Sequence, residues 1–375
     1  MDLDFTEEQQ MLRDTLRSLC AEHSPIEVVR ALEDDAKGYT DEFWGKLAEL
    51  GVTGLTLPEP WGAGMGLMDA VVVYEEFGRA LAASPHFDSC VMAGGVLAAA
   101  GSQEQKDEWL PGIASGEKIV VPAWLEPGNG CGPRGVQMRA RAQGDGFVLE
   151  GEKLHVHFAR EADALLVLAR SGDGDEDVDI FIVDARAEGL QMEQQLSMAS
   201  DCQYLLTFDG VQVDASSRVG AAGSGWAAWN TAMLDGIVLQ AAQAMGGAER
   251  GLEITVQYSL DREQFGKPLG AFQALSHYMA DATTLISGGR TLAYEAAWTR
   301  EQGLSTARLA PMAKLFACNT YRDATAMMVQ VHGGMGFTIE YDIQLFFRRA
   351  KQMQLAWWDT RYLEELVAAE VLDAA

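Results

Sequence analysis

In the stretch from Asp261 to Gln273, DREQFGKPLGAFQ, a permanent cation and an aromatic ring stand three residues apart at the end of a helical segment. Arg262 suits a phosphate, through the planar fork of its guanidinium. Phe265 offers a face for stacking. Gly266 and the Lys267-Pro268 step take the chain out of the helix, because proline lacks a donor and disfavours α geometry at the residue before it. The pattern suits a planar, phosphorylated ligand. Taken alone, it reads more simply as a helix end with a surface arginine. A second stretch, Gln330 to Phe337 (QVHGGMGF), adds Gly333, Gly334 and Gly336, where backbone can come close to something flat or charged. It is not GxGxxG and no strand precedes it, so a Rossmann site is excluded.

Long helices must position both stretches. From Gly223 onward, helical periodicity predicts Trp226–Tyr258, Phe272–Gln302, Ser305–Val331 and Tyr341–Leu372, with short connections that suggest a four-helix bundle. The N-terminal third is also helical. Thr6–Gln9 and Ser102–Gln105 are capping-box patterns, Thr40 caps a helix that Gly51 stops, and Met68–Leu81 and Val91–Ala100 read as buried helices. Pro58–Gly66 reads as a loop. Between these regions the period changes to that of strands. Val136, Met138 and Ala140 alternate with polar residues, and Gly144-Asp145-Gly146 is a turn. Phe147–Leu149, Leu165–Leu168, Ile180–Val183 and Leu205–Val213 are further strands. The acidic tract Gly172–Asp179 reads as a solvated hairpin tip, because it lacks the bidentate Glu of a calcium-binding EF-hand loop.

Composition narrows the function classes. At 375 residues the chain exceeds one simple core. Its net charge of −27 excludes a nucleic-acid binder, which needs a basic face. No charge-poor apolar run of about twenty residues is present, so no membrane span is expected. The acidic start MDLDFTEEQQ lacks a signal-peptide apolar region, which points to the cytoplasm. Five scattered cysteines without C-x-x-C read as reduced thiols.

Together, R-x-x-F-G-K-P-x-x-x-F-Q and, some sixty residues later, Q-x-x-G-G-x-G-F resemble the acyl-CoA dehydrogenase family. The resemblance extends through DFTEEQQMLRDTLR, LGVTGLTLPEPWGAGMG, YEEFGRAL, GSQEQKDEWLPGIASGE and AERGLEITVQYSLDREQFGKPLGAFQ, nearly the whole chain. It implies a mainly α fold with a central β-domain: an N-terminal helical domain (1–118), a small β-barrel or sandwich domain (119–221) and a C-terminal four-helix bundle (222–375). It implies oxidation of an acyl-CoA thioester, with a base taking the α-proton and FAD taking the β-hydride. It also implies a dimer or tetramer, with each FAD at a subunit interface. One chain surrounds the flavin ring, and its partner reaches over to hold pyrophosphate and adenosine. Arg262, Phe265, Leu269, Gln330, Gly333 and Gly334 match that reaching half.

The ring half departs from the family pattern. Where T-E-P-G-x-G-S-D is expected, the chain reads Leu125-Glu126-Pro127-Gly128-Asn129-Gly130-Cys131-Gly132. Where W-x-T is expected, it reads His155-Val156-His157. A His-x-His pair on one strand face suits a metal, but no third ligand is identifiable, so a non-metal role is favoured. The base is missing as well. Aligning RRAK (Arg348–Lys351) puts Trp357 at the usual glutamate position, followed by Trp358 and Asp359. Aligning Ala244-Met245-Gly246 puts Gly236 at the alternative one, beside Asp235. A one-residue change of register, which would bring Asp235 into play, rotates a helical side chain by about 100°.

Three readings follow. In the first, the chain resembles the base-lacking subunit of heteromeric bacterial acyl-CoA dehydrogenases acting on fatty acids or steroid side chains. It completes the FAD site of a homologous Glu-bearing subunit, whose electrons pass to an electron-transfer flavoprotein or a similar acceptor. In the second, it is a self-sufficient dehydrogenase with Asp235 as a relocated base. In the third, it is a flavin-free scaffold.

Overall fold

The computed structural model describes residues 4–175 and 177–373. Helices α1 (Glu7–His23), α2 (Ile26–Ala31), α3 (Asp41–Glu49) and α4 (Leu67–Ala80) come first. A π-helical turn, Phe87–Ala93, runs into α5 (Gly94–Ala100), and α6 (Gln103–Ala114) follows. Strands β1 (Val120–Ala123), β2 (Arg139–Gln143), β3 (Gly146–His157), β4 (Ala164–Arg170), β5 (Val178–Asp184), β6 (Leu190–Gln195), β7 (Gln203–Asp214) and β8 (Arg218–Val219) form one sheet. Then come α7 (Gly225–Asp261), a small hairpin of β9 (Glu263–Gln264) and β10 (Lys267–Pro268), α8 (Gln273–Glu301), α9 (Leu309–His332), α10 (Ile343–Leu355) and α11 (Thr360–Ala368). The expected mainly α fold with a central β-domain is present.

The chain divides into two compact units. Of the described residues, one holds 4–30, 66–83 and 237–373; the other holds 31–65, 84–175 and 177–236. The division falls inside α7.

The helical unit begins at a predicted cap. The Thr6 hydroxyl accepts from the Gln9 amide at 3.2 Å and the Gln9 side chain accepts from the Thr6 amide at 3.1 Å, satisfying two donors that the first turn leaves orphaned. Helices α4 and α7 meet at glycines. A Cβ on Gly78 would lie 1.9 Å from the Gln243 carbonyl oxygen, and one on Gly246 would lie 1.9 Å from that of Glu75. Close approach buries Glu75 and Glu76, so both must be paired. Glu75 accepts from Arg290 at 2.9 Å and from the Tyr294 hydroxyl at 2.8 Å, and Glu76 takes Arg17 at 2.7 Å. Burial pushes the Glu75 carboxyl up, and Arg290 and Tyr294 oppose the shift.

The second unit contains the sheet, in the order β6-β7-β3-β2-β4-β5-β8, with β1 parallel to β4. The second predicted capping box is present at Ser102–Gln105, and Thr40 caps α3. Strand β4 is buried at every position.

Four local expectations are corrected. Strand β2 begins at Arg139, so Val136 and Met138 precede it; both are buried, and the Met138 amide donates to Glu126 rather than to a strand. Val178 and Asp179 belong to β5 rather than to the acidic loop, and Asp179 is fully buried, accepting from the Gly223 amide at 2.6 Å. Glu176, in the same tract, lies outside the described residues. Strand β6 had no strand-like signal because its residues are exposed or half-exposed throughout, as on a sheet edge. The predicted helix Tyr341–Leu372 is broken at residues 356–359, where Trp357 and Trp358 adopt φ of 54° and 73°.

The α4–α7 contact yields a prediction. Gly246→Ala should lower stability by about 3 kcal/mol, because the methyl must push one helix backbone off the other. Urea denaturation measures it; an unchanged midpoint would contradict the packing.

Candidate functional site

The two sequence stretches converge at one end of the helical unit. Tyr258, one turn before Arg262, stacks on His332, the residue before Gly333, with ring centroids 4.3 Å apart and planes 25° apart. Tyr341 closes the group, 5.0 Å from His332 and 6.0 Å from Tyr258. The His332 imidazole is buried and bonded at Nδ1 to the Met328 carbonyl, 2.8 Å away; burial holds its pKa low. This aromatic stack joins the end of α7 to the end of α9. The sequence reading missed it, although Tyr258 and Arg262 are four apart, the spacing of neighbours on one helix face.

Beyond α7 the chain turns through Phe265 and Gly266, with φ of 55° and 78°, and β9 pairs with β10 across this two-residue loop. Positive φ at both central residues is a type I′ turn, which ordinarily takes Asn-Gly. A phenylalanine there costs about 1–2 kcal/mol relative to an unstrained backbone. Phe265 is nonetheless 91% exposed; only its edge contact with Phe272, at 6.2 Å, covers it in part. Arg262 is exposed, and among the described residues no carboxylate engages its guanidinium. Leu269 is half-buried and its amide donates to the Arg262 carbonyl at 2.9 Å, closing the hairpin base. Gln330 is exposed on the last turn of α9. Gly333 has φ of 62°, and a Cβ built on Gly333 or Gly334 would meet nothing within 4 Å. A free cation, a strained exposed ring and two uncovered glycines fit the phosphates and a ring of a dinucleotide.

The β-unit residues that replace the ring-side pattern are occupied with one another. Glu126 is buried and accepts from Lys153 at 2.7 Å, from the Gln137 amide at 2.9 Å and from the Met138 amide at 3.0 Å. It therefore anchors the 125–138 loop. Lys153 is fully buried; burial lowers its pKa and Glu126 resists the shift. Leu125 offers its carbonyl to the Leu154 amide at 2.8 Å. His155 and His157 each engage other side chains of the same unit. His155 has φ of 53° at a bulge in β3 and bonds to Gln203. His157 lies between Asp88, 3.3 Å from Nδ1, and Asp201, 3.2 Å from Nε2. No group of three metal-binding side chains is present among the described residues.

The positions aligned with the family base are filled as well. Trp357 is 7% exposed. Asp359 serves as the N-cap of α11, accepting from the Tyr362 amide at 2.9 Å. A Cβ on Gly236 would stand 2.8 Å from the Met92 sulfur and 3.1 Å from the Phe87 ring, so a longer side chain there requires both to move. Asp235 is half-buried on α7.

His157 yields a prediction. Burial acts to lower its pKa, but the two flanking carboxylates prevail and raise it to about 10. The folded state then binds the proton more tightly than the unfolded chain, whose imidazole titrates near about 6.5. The stabilisation is complete below that value and is lost as pH rises through about 10. His157→Asn should therefore lower the urea midpoint strongly at pH 6 and progressively less toward pH 10. A difference that grows with pH would contradict the ion-pair geometry.

Comparisons with known proteins bear on the family of the chain. Residues 6–117, 123–211 and 223–371 match the family descriptions "Acyl-CoA dehydrogenase, N-terminal domain", "middle domain" and "C-terminal domain". The chain is 30% identical to acyl-CoA dehydrogenase FadE27 of Mycobacterium tuberculosis over 95% of each chain. It is 27% identical to the caffeyl-CoA reductase-Etf complex subunit CarC of Acetobacterium woodii, over 98% of this chain and 99% of that protein. It superimposes on a chain of the ChsE4-ChsE5 complex from Mycobacterium tuberculosis with a TM-score of 0.90 at 29% identity, covering 99% of each. Among the described residues no helix is long and apolar enough to cross a membrane. The three-part match, the full-length identity and the shared fold place this chain in the acyl-CoA dehydrogenase family.

Proposed function

We propose that this chain is a subunit of a heteromeric acyl-CoA dehydrogenase. In that assembly it supplies the dinucleotide-holding half of an FAD site whose ring, base and acyl-CoA belong to a homologous, glutamate-bearing partner. The observation that carries the reading is an asymmetry. Arg262, Phe265, Gln330, Gly333 and Gly334 are exposed, and among the described residues no carboxylate engages Arg262, while Trp357 and the Phe87–Met92–Gly236 packing fill both positions aligned with the base. The ChsE4-ChsE5 complex, which by its name joins two different chains, is in keeping with it.

Arg262 would neutralise a pyrophosphate, the uncovered glycines would let backbone approach it, and Phe265 would shield a ring from water. Leu269 would hold the hairpin base, and Gln330 would offer its amide to the pyrophosphate and adenosine. The chemistry that a bound flavin would supply is acceptance of the β-hydride, with the partner's base taking the α-proton, so that the acyl-CoA would become a 2,3-enoyl-CoA and the electrons would go to an electron-transfer flavoprotein or similar acceptor. This chain's own contribution is binding and orientation. The sheet-side contacts of Glu126 and His157 are then architecture.

Arg262→Ala tests the proposal. In the complex with a glutamate-bearing homologue, FAD should dissociate about 10–100-fold more readily, the loss expected for a charge-assisted hydrogen bond. The variant chain should melt as the parent does, since the side chain is exposed. Full FAD retention by the variant complex would overturn the assignment.

A further inference from the structure

Lys314, on α9, is fully buried. Its ammonium donates to three successive main-chain carbonyls: Ala356, Trp357 at 2.8 Å and Trp358 at 2.7 Å. Successive carbonyls of a helix or strand do not converge on one point. They do so here because Trp357 and Trp358 both take left-handed backbone, which costs energy for any residue but glycine. The ammonium thus satisfies carbonyls of the connection between α10 and α11, which lie outside both helices, and it does so in the bent form. Residues 341–372 have the periodicity of one unbroken helix, so the bend is imposed from outside the segment. Its products are a Trp357 side chain turned into the protein, a fully buried Trp358 packed edge-on to Tyr362 at 5.2 Å, and Asp359 placed to cap α11.

We infer that Lys314 is a positioning residue. By clamping the 356–358 corner it holds Trp357 as a plug in this chain's own acyl site, so that acyl-CoA binds only in the partner. The inference rests on the proposed division of labour, because the location of the acyl site is taken from the base alignment. It adds the device that closes that site and names the group that operates it. Leu355 to Asp359 holds no helix-breaking glycine or proline, and the three hydrogen bonds from the ammonium take the place of a break written into the sequence.

Two variants test it on the full-length chain, with titration of a non-reacting thioether analogue of an acyl-CoA as the probe. Lys314→Met keeps the bulk of the side chain and removes its donors. Its tryptophan emission should shift to the red, amide exchange at residues 358–362 should accelerate, and the analogue should bind at least tenfold more tightly than to the parent. Trp357→Ala leaves all three carbonyls and the clamp in place. It should keep the parent's exchange at residues 358–362 and also gain binding. Unchanged emission and exchange in Lys314→Met would overturn the clamp. An absence of gained binding in a folded Trp357→Ala would overturn the plug, whatever Lys314→Met does. The FAD content of the heteromeric complex, read through Arg262, tests the half-site separately. Its failure alongside a gain in Trp357→Ala would remove the division of labour and leave Trp357 as an obstruction to acyl-CoA in this chain.

Discussion

A charge removed from water has to find its partner where it is buried, and the interior charged groups described above obey that constraint. Glu75 and Glu76 are met by Arg290, Tyr294 and Arg17. Glu126 is met by Lys153, His157 by two aspartates, and Lys314 by three carbonyls. Each pairing also fixes backbone: α4 against α8 and α1, the 125–138 loop, the end of β3 and the corner before α11. Against that background Arg262 is the exception. It is exposed at the end of α7, beside a strained aromatic and within reach of the α9 terminus, and it has no anion from the described chain. Exposure makes such a cation cheap to leave unpaired, and therefore available.

The same constraint explains why two halves of one resemblance behave differently. The reaching half consists of surface groups whose chemistry is unspent. In the ring half, Glu126 and Lys153 are turned inward and satisfy one another. His157, flanked by Asp88 and Asp201, is held by charges of its own unit. Trp357, at the position aligned with the family base, is a buried ring instead of a carboxylate. Neither change unfolds the architecture, because each is compensated locally.

Much of this was legible before the structure. Capping boxes at Thr6 and Ser102, the helix–turn at Arg262 and the αβα order are local signals, and local signals survive folding. Three features were not legible. The Lys314 clamp joins residues more than forty positions apart and reverses the helical preference of the segment it bends. The bulge at His155 removes the two-residue alternation on which a His-x-His pair depends. The buried state of Asp179 follows from a contact with Gly223 that no spacing announces. In each case a tertiary hydrogen bond overrides the local pattern. For the candidate site, residue types identified Arg262 and the glycines, but only the Tyr258–His332 stack explains why they face the same end of the bundle.

The central claim is that the chain holds half of a flavin site. Its most direct test is the absorbance spectrum from about 300 to 550 nm of the chain purified alone, and of the chain purified with a glutamate-bearing homologue, normalised to protein. The account predicts a colourless chain, and a yellow complex containing one FAD for each pair of unlike chains that an acyl-CoA bleaches under anaerobic conditions. A yellow homo-oligomer of this chain alone, bleached by acyl-CoA, would contradict it and return attention to Asp235.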